Sequence, residues 1–193
     1  MKPLAYTAPY AWIFWAVFLF AFVPEFALVA RSRPAQGETK DRSLTFILLA
    51  GQIGMLGAFL VAGLHGFMIT HQQKTCFVAG LIVLLCGSLL RRHCWRMLGI
   101  HFTGNVKASA DQPVVERGAY RWVRHPSYTG GMLMYLGTGI ALTNWLSAVI
   151  ISAAGAAGYA YRVRVEEQTL QASLGGRYQE YMRRTKRFVP FVF

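Results

Sequence analysis

Acidic residues are scarce in this chain: eight Asp and Glu stand against 20 Lys and Arg, leaving a formal net charge of +12. Charge of either sign is thin, at 15% of residues, while 54% are hydrophobic. A nucleic-acid-binding domain would carry its basic residues as a stripe on a soluble fold. Here they alternate between crowded and nearly empty segments separated by long uncharged runs, a pattern that argues against nucleic acid and for a membrane. Cysteine is also sparse. Cys76, Cys86 and Cys94 are odd in number and lack metal-type spacing, and Cys86 within an apolar run reads as a small hydrophobe. His93 and His101 near Cys94 complete no metal motif, so no metal is expected. No Gly-x-Gly-x-x-Gly follows a strand pattern, which excludes a soluble Rossmann domain. The first apolar run is longer than the core of a signal peptide, with only Lys2 ahead of it, and reads as a retained helix.

A spanning helix needs about 20 predominantly apolar residues. Residues 10–30 supply one span, with Pro24 expected to kink it and Glu25 expected to face protein or the interface rather than lipid. Residues 31–43 form a charged loop. Residues 44–68 supply the second span, in which Ala50, Gly54, Ala58, Ala62 and Gly66 fall four apart and strip one face of bulk, allowing another helix to approach closely. A third span begins over 76–90 and runs on through Arg91 and Arg92, whose side chains are expected to snorkel to the interface. After the long polar stretch 98–124, residues 128–142 and 145–161 form a helical hairpin joined by Thr143 and Asn144.

Lys and Arg number one before the first span, four over 31–43, one in the following turn, seven over 91–124, none in the hairpin and seven after Tyr161. With five spans and the N-terminus outside, every rich segment falls on the cytoplasmic side. The expected fold is therefore an all-α integral membrane protein of five transmembrane helices, ending in a helical hairpin and carrying a cytoplasmic pocket. Residues 1–97 form an N-terminal region with helices 1–3, and 98–193 hold the chemistry and helices 4–5. The C-terminus is cytoplasmic.

Three pieces could carry chemistry. His125 precedes Pro126, which biases it toward extended backbone, and Pro126 suits the first turn of the next helix. The unpaired N–H groups at that helix start suit an anion such as a carboxylate. Arg162 and Glu166 lie four apart on one helix face where the last span leaves the membrane. An exposed pair there would be a mere interfacial ion pair. Acidic groups beside a buried hairpin nevertheless raise the prospect of a role. The basic and aromatic tail 178–190 reads as an interfacial amphipathic helix, which either closes the site or lies on anionic headgroups.

The ordered set Arg-His-Pro-x-Tyr-x-Gly (124–130), an apolar hairpin, Glu-Glu-x-x-Leu (166–170), Gly-x-x-Tyr-x-x-Tyr (175–181) and Arg-Phe-x-Pro (187–190) resembles the isoprenylcysteine carboxyl methyltransferase family. The related phospholipid methyltransferases share much of it. The resemblance covers roughly 98–190 and implies an S-adenosyl-L-methionine pocket built from 98–128 and capped by the fifth helix. It implies cofactor contacts at Asn105, where relatives often have glutamine, at Gln112, Pro113, Val114, Val115 and Tyr120, at His125, Pro126, Ser127 and Tyr128, and at Glu166. It matches Arg162 to the arginine facing the substrate, so Arg162 and Glu166 are the expected catalytic pair. The implied partners are membrane lipids and a lipophilic methyl acceptor entering from the bilayer, of which a prenylated cysteine is the type.

Methyl transfer from a sulfonium is an in-line displacement governed by positioning and charge. A carboxylate acceptor is ionised at neutral pH and needs no base, and Arg162 can orient it through two parallel hydrogen bonds. Two other readings stay open. Phospholipid amine N-methylation would need a base, for which Glu167 is the candidate. A sterol-type membrane reductase would bind NADPH instead.

Overall fold

The computed structural model describes residues 2–31, 42–99 and 112–190. The described chain is helical, without a β-strand. It runs through α1 (Tyr10–Arg31), α2 (Arg42–Val61), α3 (Gln73–Leu98), α4 (Pro126–Ala141), α5 (Trp145–Leu174) and α6 (Gly176–Arg184), with 3-10 turns at Leu4–Tyr6, His65–Phe67 and Gly118–Arg121. Four of these helices, α1, α2, α3 and α5, are long and apolar enough to cross a membrane. At 16 residues α4 falls short of that length and packs between α3 and α5. Large apolar side chains stand exposed on the outer surface, among them Trp12, Ile53, Leu60 and Val149. In water such a surface would be a liability, whereas lipid tails satisfy it.

Small residues set how closely the helices pack. On α2, Gly54 and Ala58 are buried against α5, and a Cβ at Gly54 would collide with that of Ala154. The expected close approach therefore exists, with α5 as the partner. A second seam lies between α3 and α4. A Cβ on Gly87 would come within 2.6 Å of Gly130 O, and one on Gly80 within 2.7 Å of Gly137 O, so backbone meets backbone at both ends.

The second span ends earlier than the sequence pattern predicts. Helix α2 stops at Val61, and Gly66 sits in the exposed turn outside the packing stripe. Helix ends leave carbonyls without intrahelical partners. Here the fully buried Asn144, between α4 and α5, donates through Nδ2 to Val61 O (3.3 Å), Ala62 O (3.2 Å) and Leu64 O (3.2 Å). Its Oδ1 caps α5 by accepting from Ser147 N at 3.1 Å. One side chain thus ends α2 and starts α5.

Helix α5 continues unbroken to Leu174, and Gly175 closes it with φ 55°, a left-handed value that favours glycine. Thirty residues span about 45 Å, longer than the roughly 30 Å hydrocarbon core, so the helix exceeds a single crossing by about 15 Å. Arg91 overturns the expectation of snorkelling. It is 8% exposed and both its Nε and Nη2 donate to the Glu25 carboxylate at 2.6 Å. A fixed carboxylate within the bundle offers the guanidinium a partner that it would otherwise seek in water.

Candidate active site

A cavity of about 550 Å³ lies where α1, α2, α4 and α5 meet the segment around Val114 and Tyr120. Its far end is apolar, walled by Phe18, Phe22, Met55 and Phe59. Its near end is polar, and the Tyr128 hydroxyl stands at the centre. That hydroxyl donates to Glu166 Oε2 at 2.6 Å and accepts from Arg162 Nε at 3.3 Å. Arg162 is 5% exposed and also donates from Nη1 to Ser43 Oγ at 2.8 Å, which ties α5 to the start of α2. The Glu166 side chain keeps 28% exposure, open to the cavity. The two residues are therefore linked through a tyrosine from α4, and an interfacial ion pair does not describe them.

His125 occupies the turn into α4, with Pro126 at the first helical position. Its ring is buried and stacks on Tyr128, with centroids 5.5 Å apart and planes at 8°. Nε2 lies 3.3 Å from Glu167 Oε1, so with a carboxylate as acceptor this nitrogen carries the proton. Nδ1 lies 3.9 Å from Glu166 Oε2. His125 is thereby held between neighbouring carboxylates.

Glu167 points away from the cavity into a basic clasp. Oε1 accepts from Arg124 Nε at 2.9 Å, and Oε2 accepts from Arg187 Nε at 3.0 Å and Nη2 at 2.8 Å. Arg124 also donates from Nη1 to the carbonyls of Met182 and Thr185. Backbone bonds from Arg124 N to Lys186 O (2.7 Å) and from His125 N to Arg187 O (3.0 Å) lace the C-terminal segment over the start of α4. Thr129 Oγ1 adds a bond to Phe188 O at 2.8 Å. The tail thus closes this end of the site. The sequence motifs contain Arg124, Glu167 and Arg187, but their spacing gives no sign that one carboxylate gathers both arginines.

Also lining the cavity, Tyr178 and Tyr181 pack with Leu174 and Val114, and Tyr181 donates to Tyr120 O at 2.7 Å. Burial raises the pKa of Tyr120, Tyr178 and Tyr181 above the ordinary phenol range, so all three stay neutral.

The model of the isoprenylcysteine carboxyl methyltransferase (ICMT) family matches residues 58–172, more than half of the sequence. The chain belongs to the isoprenylcysteine carboxyl methyltransferase family. It is 30% identical over 190 residues to protein-S-isoprenylcysteine O-methyltransferase of Saccharomyces cerevisiae, covering 92% of this chain and 77% of the yeast protein. It is 33% identical over 115 residues to protein-S-isoprenylcysteine O-methyltransferase B of Arabidopsis thaliana, covering 58% of each. The chain thus spans under two thirds of the Arabidopsis relative's length. The fold is that of a solved eukaryotic intramembrane Ras methyltransferase, isoprenylcysteine carboxyl methyltransferase. The match has a TM-score of 0.65 at 23% identity, over 93% of this chain and 65% of that one.

Gln112, Pro113, Val114, Val115, Tyr120, His125, Ser127, Tyr128, Arg162 and Glu166, all singled out in sequence by resemblance to this methyltransferase family, line this cavity. Pro126 is buried behind it at the helix start. Asn105 lies outside the described residues. Sequence reasoning missed Ser43, Glu25, Arg91 and Tyr159. Glu25 carried a partial signal, as a carboxylate within an apolar run.

Proposed function

We propose that this chain is an S-adenosyl-L-methionine-dependent methyltransferase that esterifies the carboxylate of a lipophilic acceptor of the prenylated cysteine class. The observation that carries the proposal is the two-ended cavity, whose apolar chamber runs directly into a polar end bearing Arg162 and Glu166. The cofactor would supply an electrophilic methyl group on a sulfonium. Its fit rests on complementary groups at the polar end: an accessible Glu166 carboxylate for its ammonium, and Tyr120 with Val114 and Val115 as flat apolar walls for its adenine. Gln112, Pro113, His125, Ser127 and Tyr128 complete that wall, with Pro126 setting the helix start.

Arg162 binds and orients the acceptor carboxylate, which is ionised at neutral pH and needs no base. Tyr128 fixes Arg162 relative to Glu166 through its two hydrogen bonds, which sets the distance between acceptor and donor. The tail laced over α4 keeps water from this end, where charge interactions then act at lower dielectric. Glu167, the base that N-methylation of a phospholipid amine would require, is 3% exposed and engaged by Arg124, Arg187 and His125. That engagement favours O-methylation over N-methylation.

The same reading takes α4 as the fifth membrane segment, sheathed by α3 and α5, with the N-terminus outside and the site and C-terminus cytoplasmic. The Lys and Arg distribution supports it. The test of function is binding: S-adenosylhomocysteine should raise the melting temperature of the detergent-solubilised protein. Stabilisation by NADPH and not by S-adenosylhomocysteine would replace the methyltransferase reading with the reductase one.

A further inference from the structure

The Glu25–Arg91 pair, with Arg91 buried and Glu25 partly buried, belongs to none of the roles assigned above, yet both residues line the cavity. Arg91 ties together several elements at one point. Its Nε and Nη2 donate to the Glu25 carboxylate of α1, each at 2.6 Å. Its Nη1 lies 3.0 Å from Ser127 O in the first turn of α4 and 3.4 Å from the Tyr159 hydroxyl of α5. A buried ion pair seldom adds stability over apolar residues of the same volume, so its retention calls for a geometric reason.

That reason lies in how α1 is held. Helices α1 and α2 meet at Phe59, whose ring stacks on Trp15 at 5.5 Å and 8° and stands edge-on to Phe14 and Phe18. Beyond that level both helices wall the cavity, with Phe22, Glu25 and Phe26 on one side and Leu44, Leu48 and Met55 on the other. The far half of α1 is thus a cavity wall that the Phe59 cluster does not anchor to α2. Glu25 supplies a directional anchor there, and Arg91 carries it to the α4 turn that holds Ser127 and Tyr128.

We infer that Glu25 and Arg91 form a positioning pair, which sets the spacing of α1 from α2 and so the width of the acceptor chamber. The inference deepens the proposed function and rests on it for its kinetic consequence. Its structural consequence can be read without any turnover.

The test is the doubly neutral Glu25→Gln/Arg91→Met chain, which avoids stranding one buried charge, beside the conservative Arg91→Lys. Spin labels at Phe26 and Thr45, in a background with Cys76 and Cys86 replaced by serine, report the distance between α1 and α2 in lipid nanodiscs. The double variant should broaden that distance distribution relative to the paired chain, with Arg91→Lys intermediate. With a farnesylated cysteine acceptor, its KM should rise on the order of 10-fold while kcat falls by less. A distance distribution unchanged in the double variant overturns the inference, as does an unchanged KM in a chain that turns over. If the wild-type chain methylates no prenylated cysteine, the proposed function fails, and the distance measurement still decides the role of the pair.

Discussion

Arg162→Ala separates handling of the acceptor from binding of the donor. In the folded chain the Arg162 guanidinium is 5% exposed and donates to Ser43 Oγ at 2.8 Å and to the Tyr128 hydroxyl at 3.3 Å. Glu166 receives the Tyr128 hydroxyl at 2.6 Å in a separate bond that the truncation leaves in place. S-adenosylhomocysteine affinity should therefore change by less than about 3-fold, or roughly 0.6 kcal/mol. Methyl transfer should fall on the order of 10²-fold or more, about 2.7 kcal/mol, as expected for removing a charged positioning group from a reacting centre. The bonds to Ser43 and Tyr128, from a charged donor, also disappear, each worth about 1.5–3 kcal/mol, so folding needs checking first by thermal melt. Calorimetric titration with S-adenosylhomocysteine and initial rates with a farnesylated cysteine acceptor then give the two numbers. Full turnover by a folded Arg162→Ala chain refutes the assignment, and so does a loss of donor affinity as large as the loss of rate.

Glu166→Ala should show the converse, weakening S-adenosylhomocysteine by about 1.5–3 kcal/mol, measured by the same titration. Glu167→Ala strands Arg124 in a buried setting and should cost about 3–5 kcal/mol of stability, read as a lowered melting temperature. Gly87→Leu would drive a side chain into the α4 backbone and should destabilise by at least about 1–3 kcal/mol in the same melt. Engineered cysteines replacing Asn105 and Arg187 should both resist an impermeant label applied from outside intact cells. Labelling at one of the two breaks the five-span topology.

Local pattern made the helices legible in sequence. Long apolar runs fix α1, α2, α3 and α5 because a bilayer demands them. The residues around the cavity were legible only through their ordered motifs, since no spacing rule brings Val114 beside Tyr178 from α6. Partners far apart in the chain stayed hidden. Arg91 and Glu25 are 66 residues apart, and hydropathy alone makes a basic residue at the end of an apolar run look like a snorkelling one. The glycine seam between α3 and α4 escaped for a similar reason. Gly80 and Gly87 become meaningful only once Gly130 and Gly137 are known to face them. The early end of α2 depended on Asn144, whose three carbonyl bonds reach back some 80 residues or more.

The central claim is tested most directly by chemical analysis of the methylated product. Membranes bearing the chain are supplied with S-adenosylmethionine labelled in its methyl group, together with a farnesylated cysteine. The account predicts label recovered in the acceptor as a base-labile methyl ester, on the order of 10²-fold less of it in membranes carrying Arg162→Ala. Label appearing instead in phospholipid amines, stable to base, would contradict it.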